Sequence, residues 1–262
     1  MRQDPSISGM NIASFLFGGS RPDWYQRIQI TFGVTRGIVY LHEECSSQII
    51  HCDIKPQNVL LDDSYNVKIF DFGLAKLLMS DQSRCTTNIS GTRGYVAPEW
   101  FKRMAITASS QIIQAKLLIL DQSRCTTDIR GTQGYVAPEW FKRMVITAKV
   151  DVYSFRIMLL EIICYRKNFE RESWDENIEI LSDWAYDCYV EIKLHLLVEN
   201  DEQAKNGGKM LERLVMTAIW CIQEDPSFRP SMKKVTQMLE GAIEVCMPPV
   251  PDPSAFISSI CA

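Results

Sequence analysis

The sequence predicts a mainly α fold carrying one short β-hairpin, and three observations lead there. Apolar residues recur with helical period along much of the chain. One stretch, Lys149 to Cys164, is apolar around nearly its whole circumference and therefore belongs at the centre of a core. Only two short runs, Val59 to Leu61 and Val67 to Phe70, read as strands, joined by the turn-rich Asp62-Asp63-Ser64-Tyr65-Asn66.

Taken in order, residues 1–10 hold no apolar periodicity and are expected to be unstructured. Asp23 to Glu44 places Trp24, Ile28, Phe32, Ile38, Val39 and Leu41 on roughly one side of an amphipathic helix. In the central helix, Val150, Val152, Tyr153, Phe155, Ile157, Met158, Leu159, Leu160, Ile162 and Ile163 leave no polar face. Arg156 falls in the middle of this run. Its guanidinium must snorkel to the surface, meet a carboxylate, or cost several kcal/mol. Further helices are expected near Asn177 to Glu191, Gly208 to Gln223 and Pro230 to Val245, the last opened by a proline suited to a first helical turn. Residues 246–262, with Pro248, Pro249, Pro251 and Pro253, read as an extended tail.

Composition bounds the function classes. With 262 residues and 46% hydrophobic content, the chain is long enough for one domain with a substantial core, taken as residues 11–245. Its 28 basic and 32 acidic residues give a net charge of −4 with no block of like charge, which argues against a nucleic-acid partner. The nine cysteines lack a CxxC pair and are odd in number, a pattern of reduced thiols rather than of a disulfide framework or zinc site. No uncharged apolar run of about 18 residues and no leader-like N-terminus occurs. A cytoplasmic monomer without a transmembrane segment is the expectation.

The largest irregularity is a repeat: residues 75–108 recur at 115–148, and only six of the 34 positions differ. These are Met79/Ile119, Ser80/Leu120, Asn88/Asp128, Ser90/Arg130, Arg93/Gln133 and Ala105/Val145. A solenoid needs three or more units that cover one another, whereas two Gly/Thr-rich copies describe a local tandem duplication.

The chemistry lies in His51-Cys52-Asp53-Ile54-Lys55-Pro56-Gln57-Asn58, followed by Asp71-Phe72-Gly73. Downstream come Gly-Thr-(Arg/Gln)-Gly-Tyr-Val-Ala-Pro-Glu, in both copies, and Asp151-Val-Tyr-Ser-Phe. In this order the motifs resemble the catalytic loop, metal-binding motif and activation segment of protein kinases. Phosphoryl transfer to a hydroxyl needs a carboxylate to orient it and take its proton, which the resemblance assigns to Asp53. Lys55 would neutralise the transferred phosphoryl group. Asn58 and Asp71 would supply hard oxygens for Mg2+ bridging the phosphates of ATP. Lys55-Pro-Gln-Asn, with Thr92 or Thr132, is similar to the serine/threonine class. Cys52 stands where most kinases have an arginine that docks an activation-loop phosphate, so that route of switching is expected to be missing.

The Cys221-Ile-Gln-Glu-Asp-Pro-Ser-Phe-Arg-Pro run and Leu181-Ser-Asp-Trp-Ala-Tyr-Asp resemble, more narrowly, plant lectin-type (S-domain) receptor-like kinases. That family's full-length members are plasma-membrane receptors with a cytosolic kinase domain that acts on a protein substrate or partner. The implied fold is the large, C-terminal lobe of a kinase. In it Arg229 pairs with the glutamate of Ala-Pro-Glu, for which Glu99 and Glu139 compete, and Glu139 is favoured because its copy runs directly into the central helix. Any 40-residue window between the copies can loop out at about 3 kcal/mol plus a constant. The family has glycine where Arg156 stands. Residues 1–50 contain neither a glycine-rich loop nor the strand lysine that grips ATP, so the N-terminal β-lobe is read as absent. The chain as given is therefore expected to be a weak or inactive kinase. A non-catalytic, pseudokinase-like binding module, and the product of a pseudogene or truncated gene model, are the alternatives.

Overall fold

The computed structural model describes residues 10–19, 22–78, 135–140, 145–168 and 180–248, and these are mostly helical. A short helix α1 (Ile12–Phe17) leads into α2 (Trp24–Val39), which begins at a reciprocal capping box between Asp23 and Gln26 and continues as a π-helical turn, Tyr40–Glu44. Five short strands follow the chain as β1 (Met10–Asn11), β2 (Gln48–Ile50), β3 (Val59–Leu61), β4 (Val67–Ile69) and β5 (Lys76–Leu78). The expected β3–β4 hairpin forms, with Val59 opposite Ile69, and Asp62 ties its turn by accepting from the amides of Ser64 and Asn66. It gains an unforeseen third strand: Met10, expected to be unstructured, pairs with Leu61 in β1. Residues 1–9 lie outside the described residues. Strands β2 and β5 make a second antiparallel pair.

Helix α3 (Lys149–Cys164) has the predicted bounds, and every residue from Val150 to Ile163 is buried. Against it pack α2, α4 (Leu181–Val190) and α6 (Gly208–Cys221), while α5 (Glu202–Asn206) packs on α6 and α7 (Met232–Glu240) packs on α2 and α6. The last is shorter than predicted at both ends. Pro230 lies ahead of its first turn, Ser231 caps it by accepting from the Lys234 amide, and Gly241 ends it at φ 74°, a conformation glycine adopts without Cβ strain. The tail beyond residue 248 and residues 177–179 of the helix predicted over Asn177 to Glu191 lie outside the described residues.

One sequence expectation is corrected here, and the three alternatives left for Arg156 are reduced to one. The buried face of α2 is Trp24, Arg27, Ile30, Thr31, Val34, Thr35 and Ile38, whereas Ile28, Phe32 and Val39 are only partly buried. Arg27 can be inside because its Nη1 donates to the carbonyls of Ile162 and Ile163 at the end of α3, its Nη2 pairs with Asp201, and it lies over Trp24. A cation at a helix C-terminus meets both the dipole and orphan carbonyls there. Arg156, by contrast, does not reach the surface. It is 3% exposed, and its Nε and Nη1 are buried without a hydrogen-bond partner. Burial pulls its pKa below the ordinary guanidinium value, against the nearby Tyr153, over whose ring it lies at 4.7 Å, and Asp183. A desolvated cation with unmade hydrogen bonds costs more than the methylenes around it gain. Arg156→Met, of similar length and no charge, should raise stability by roughly 1–3 kcal/mol, read as a melting temperature about 2–6 °C higher.

Candidate active site

The site begins with one buried carboxylate. Asp151, in the first turn of α3 and fully buried, accepts from two successive amides of the loop after β2, His51 N at 2.8 Å and Cys52 N at 2.8 Å. Its Oδ2 also meets His42 Nε2 at 2.9 Å. Two adjacent N–H groups reach a single carboxylate because Cys52 turns left-handed, at φ 66°. The Cys52 thiol is buried and packs with Ile50, Val136, Ala137, Trp140, Ile146, Val150 and Tyr153 in a second, smaller core under the loop.

From this anchor the loop closes on itself. His51 Nδ1 accepts from the Asp53 amide at 3.2 Å, so its Nε2 carries the proton and donates to Phe70 O at 2.9 Å. The Phe70 amide donates back to Asn58 O at 3.1 Å. The two ends of the β3–β4 hairpin are thereby fixed beside Asp53. Onto the Asp53 Oδ2 converge Lys55 Nζ at 2.7 Å and Asn58 Nδ2 at 2.9 Å, and the same Nδ2 donates to Asp53 O. Asp71 sits one residue past Phe70 at φ 62°, exposed, with Gly73 N facing its Oδ1 at 3.4 Å. The Phe72 ring meets His51 edge-on, with centroids 5.0 Å apart.

The sequence-predicted residues Asp53, Lys55 and Asn58 thus lie together, with Asp71 adjoining through Phe70. Asn58 spends its amide nitrogen on Asp53, which leaves its carbonyl oxygen for another partner. Asp71 offers a carboxylate at the surface. Both are hard oxygen donors of the kind Mg2+ takes, and a site that shares its ligands with substrate phosphates and water needs few of them from the protein. No group of three or more His, Cys, Asp or Glu that could hold a metal ion occurs among the described residues.

A second constellation flanks the loop. The turn Pro138–Trp140 is buried, and Glu139 is gripped by Arg229 with Nη1 at 2.7 Å and Nη2 at 2.9 Å. Arg229, 1% exposed, spends its remaining donors on the carbonyls of Gln223, Lys149 and Glu224. Tyr135 donates its hydroxyl to Glu161 at 2.5 Å, and its carbonyl accepts from Ser154 at 2.7 Å. Thr92, Glu99 and Thr132 lie outside the described residues.

A sequence model of the protein kinase domain matches residues 23–114 and again 114–239. The chain belongs to the protein kinase domain family. The two matches meet at the junction ahead of the second repeat copy, so each accounts for one copy. This kinase domain is 49% identical over 94% of its length to the G-type lectin S-receptor-like serine/threonine-protein kinase LECRK1 of Oryza sativa subsp. japonica. It is 47% identical over 97% to LECRK3 of Oryza sativa subsp. indica and 47% identical over 92% to RLK1 of Arabidopsis thaliana, both with the same descriptive name. It is therefore the kinase domain of a receptor-like serine/threonine kinase family. The chain spans about a quarter of the length of these relatives, covering 24–26% of each. Kinase domains normally use ATP and Mg2+. No helix of the described residues is long and apolar enough to cross a membrane. The described cysteines are free, and burial pushes the Cys164 and Cys221 thiols up to about 12.

Two parts of the kinase domain's site escaped the sequence reading. His42 shows no local sign of its role, because its partner Asp151 is 109 positions away. Glu161 was hidden in the apolar helix, although an acid in such a run already signals a buried partner. Burial pushes its pKa up to about 7, against the lowering effects of the Tyr135 hydroxyl, the Asn168 amide at 2.8 Å and Lys167. In the unfolded chain it titrates near 4.5. Between those values the folded state binds more protons than the unfolded one, so its contribution favours folding below about 4.5 and is lost as pH rises through 7. Melts from pH 5 to 8 should show a decline of order 3 kcal/mol, and Glu161→Ala should abolish that slope.

Proposed function

We propose that this chain is the catalytic-loop side of a serine/threonine protein kinase, the large C-terminal lobe, with residues 11–245 as its body. The convergence of Lys55 and Asn58 on the Asp53 carboxylate is the observation that carries this reading. A seryl or threonyl hydroxyl of a protein substrate would be oriented by Asp53, which takes its proton as the oxygen attacks phosphorus. Lys55, already 2.7 Å from that carboxylate, stands where the charge of the transferred phosphoryl group develops. Asn58 and Asp71 would hold Mg2+, which when bound neutralises the phosphates of ATP. Asp151, with His42 and His51, positions the loop without touching substrate. Cys52, packed in the second core, offers no cation to an activation-loop phosphate, in keeping with a kinase not switched by that route.

Residues 1–50 contain no glycine-rich loop or strand lysine, so these 262 residues taken alone would transfer phosphate weakly at most. Purified chain given labelled MgATP and a seryl/threonyl protein substrate should show faint transfer that Asp53→Ala abolishes. Mn2+, as a paramagnetic stand-in for Mg2+, should broaden the Asn58 and Asp71 resonances, an effect removed by Asp71→Ala. Transfer that survives Asp53→Ala, or Mn2+ that leaves both residues untouched, contradicts the assignment.

A further inference from the structure

The described chain is a composite of the two repeat copies. Lys76, in the first copy, pairs through β5 with Ile50 and places its ammonium 4.9 Å over the ring of Trp140, in the second copy. The seat beside Arg229 is filled by Tyr135 to Trp140, all buried, and by Ile146, which is 1% exposed. Residues 95–100 repeat residues 135–140 without a change, and Ile106 repeats Ile146. Of the six positions at which the copies differ, Val145 is the one whose second-copy side chain is described, and it is 39% exposed. Every described buried contact of the second copy in this seat is therefore available, atom for atom, to the first. Those contacts are the Glu139–Arg229 fork, the Tyr135 hydroxyl on Glu161 and the Tyr135 carbonyl on Ser154.

We propose that the seat beside Arg229 docks residues 95–100 as well as 135–140, the two hexapeptides exchanging within one chain. Chain entropy does not choose between them. Forty extra residues precede the docked hexapeptide in one arrangement and follow it in the other, and closing either excursion costs nearly the same. Tethering gives the spare hexapeptide an effective concentration of order mM, so at micromolar protein exchange within the chain prevails over exchange between chains. The exchange changes what the activation segment shows. With 135–140 docked, the residues leading into the seat are Asp128, Arg130 and Gln133, and with 95–100 docked they are Asn88, Ser90 and Arg93. A protein substrate would meet a differently charged approach in each arrangement.

Thermal melts of Glu99→Ala, Glu139→Ala and the double variant test this. Removing one of two equivalent occupants halves the number of folded arrangements, so each single variant should melt within about 1 °C of the parent. The double variant leaves Arg229 buried without its carboxylate and should melt about 6–10 °C lower. Should it not fold, the milder Glu99→Gln and Glu139→Gln pair is read the same way, and the cooperative melt of Glu139→Ala is already decisive. The Glu139→Ala melt should not move on hundredfold dilution. The proposal is overturned if Glu139→Ala alone falls as far as the double variant, if Glu99→Ala alone carries the loss, or if the Glu139→Ala melt drops on dilution.

Discussion

Asp151 is the constraint from which the rest of the site is built. A carboxylate in the first turn of so buried a helix is tolerated only if its oxygens are met by donors. It is met by two consecutive loop amides and a histidine ring. That requirement fixes the left-handed turn at Cys52, sends the His51 ring toward Phe70, and so sets the distance between the residues after β2 and the end of β4. Asp53, Lys55 and Asn58 are arranged by bonds that start at this point. The loop carries the proposed site, and the core holds it in place.

The same helix organises the flanking segment. Arg229 binds Glu139 with both forks and spends its other donors on three carbonyls, one of them that of Lys149 at the head of α3. A buried guanidinium satisfied at every donor makes a demanding socket: it specifies a carboxylate at one point and tolerates little else. Arg156, further along the same helix as Asp151, shows the opposite case, a buried guanidinium with unmade bonds. The duplicated segment meets both the socket and the loop: Glu139 fills the socket, while Val136, Ala137, Trp140 and Ile146 pack with Cys52 in the second core.

What was legible in the sequence divides along the same physical line. Helix α3 could be bounded to the residue, since an all-round apolar run has only one environment that suits it. The candidate catalytic residues could be named because they are neighbours in the chain and stand in motifs that resemble those of protein kinases. The buried face of α2 could not, because Arg27, Thr31 and Thr35 are inside only by virtue of acceptors: Arg27 finds its own 135 to 174 positions away, and the threonines find theirs on the helix itself. The strands β1, β2 and β5 are two or three residues long and exist through their partners, so no local pattern announces them. His42 was missed for the reason that Arg27 was, since its partner Asp151 is 109 positions away, and Glu161 because its partners Tyr135 and Asn168 lie outside the apolar helix that holds it.

Amide hydrogen exchange in Asp151→Asn tests the central claim most directly. The near-isosteric amide keeps one acceptor and turns a donor toward the loop. If Asp151 anchors the loop, exchange at the His51 and Cys52 amides should quicken by about 10–100-fold while amides in the middle of α6 and α7 keep their protection. Unchanged exchange at those two amides, or an equal acceleration across all three regions, would contradict the account.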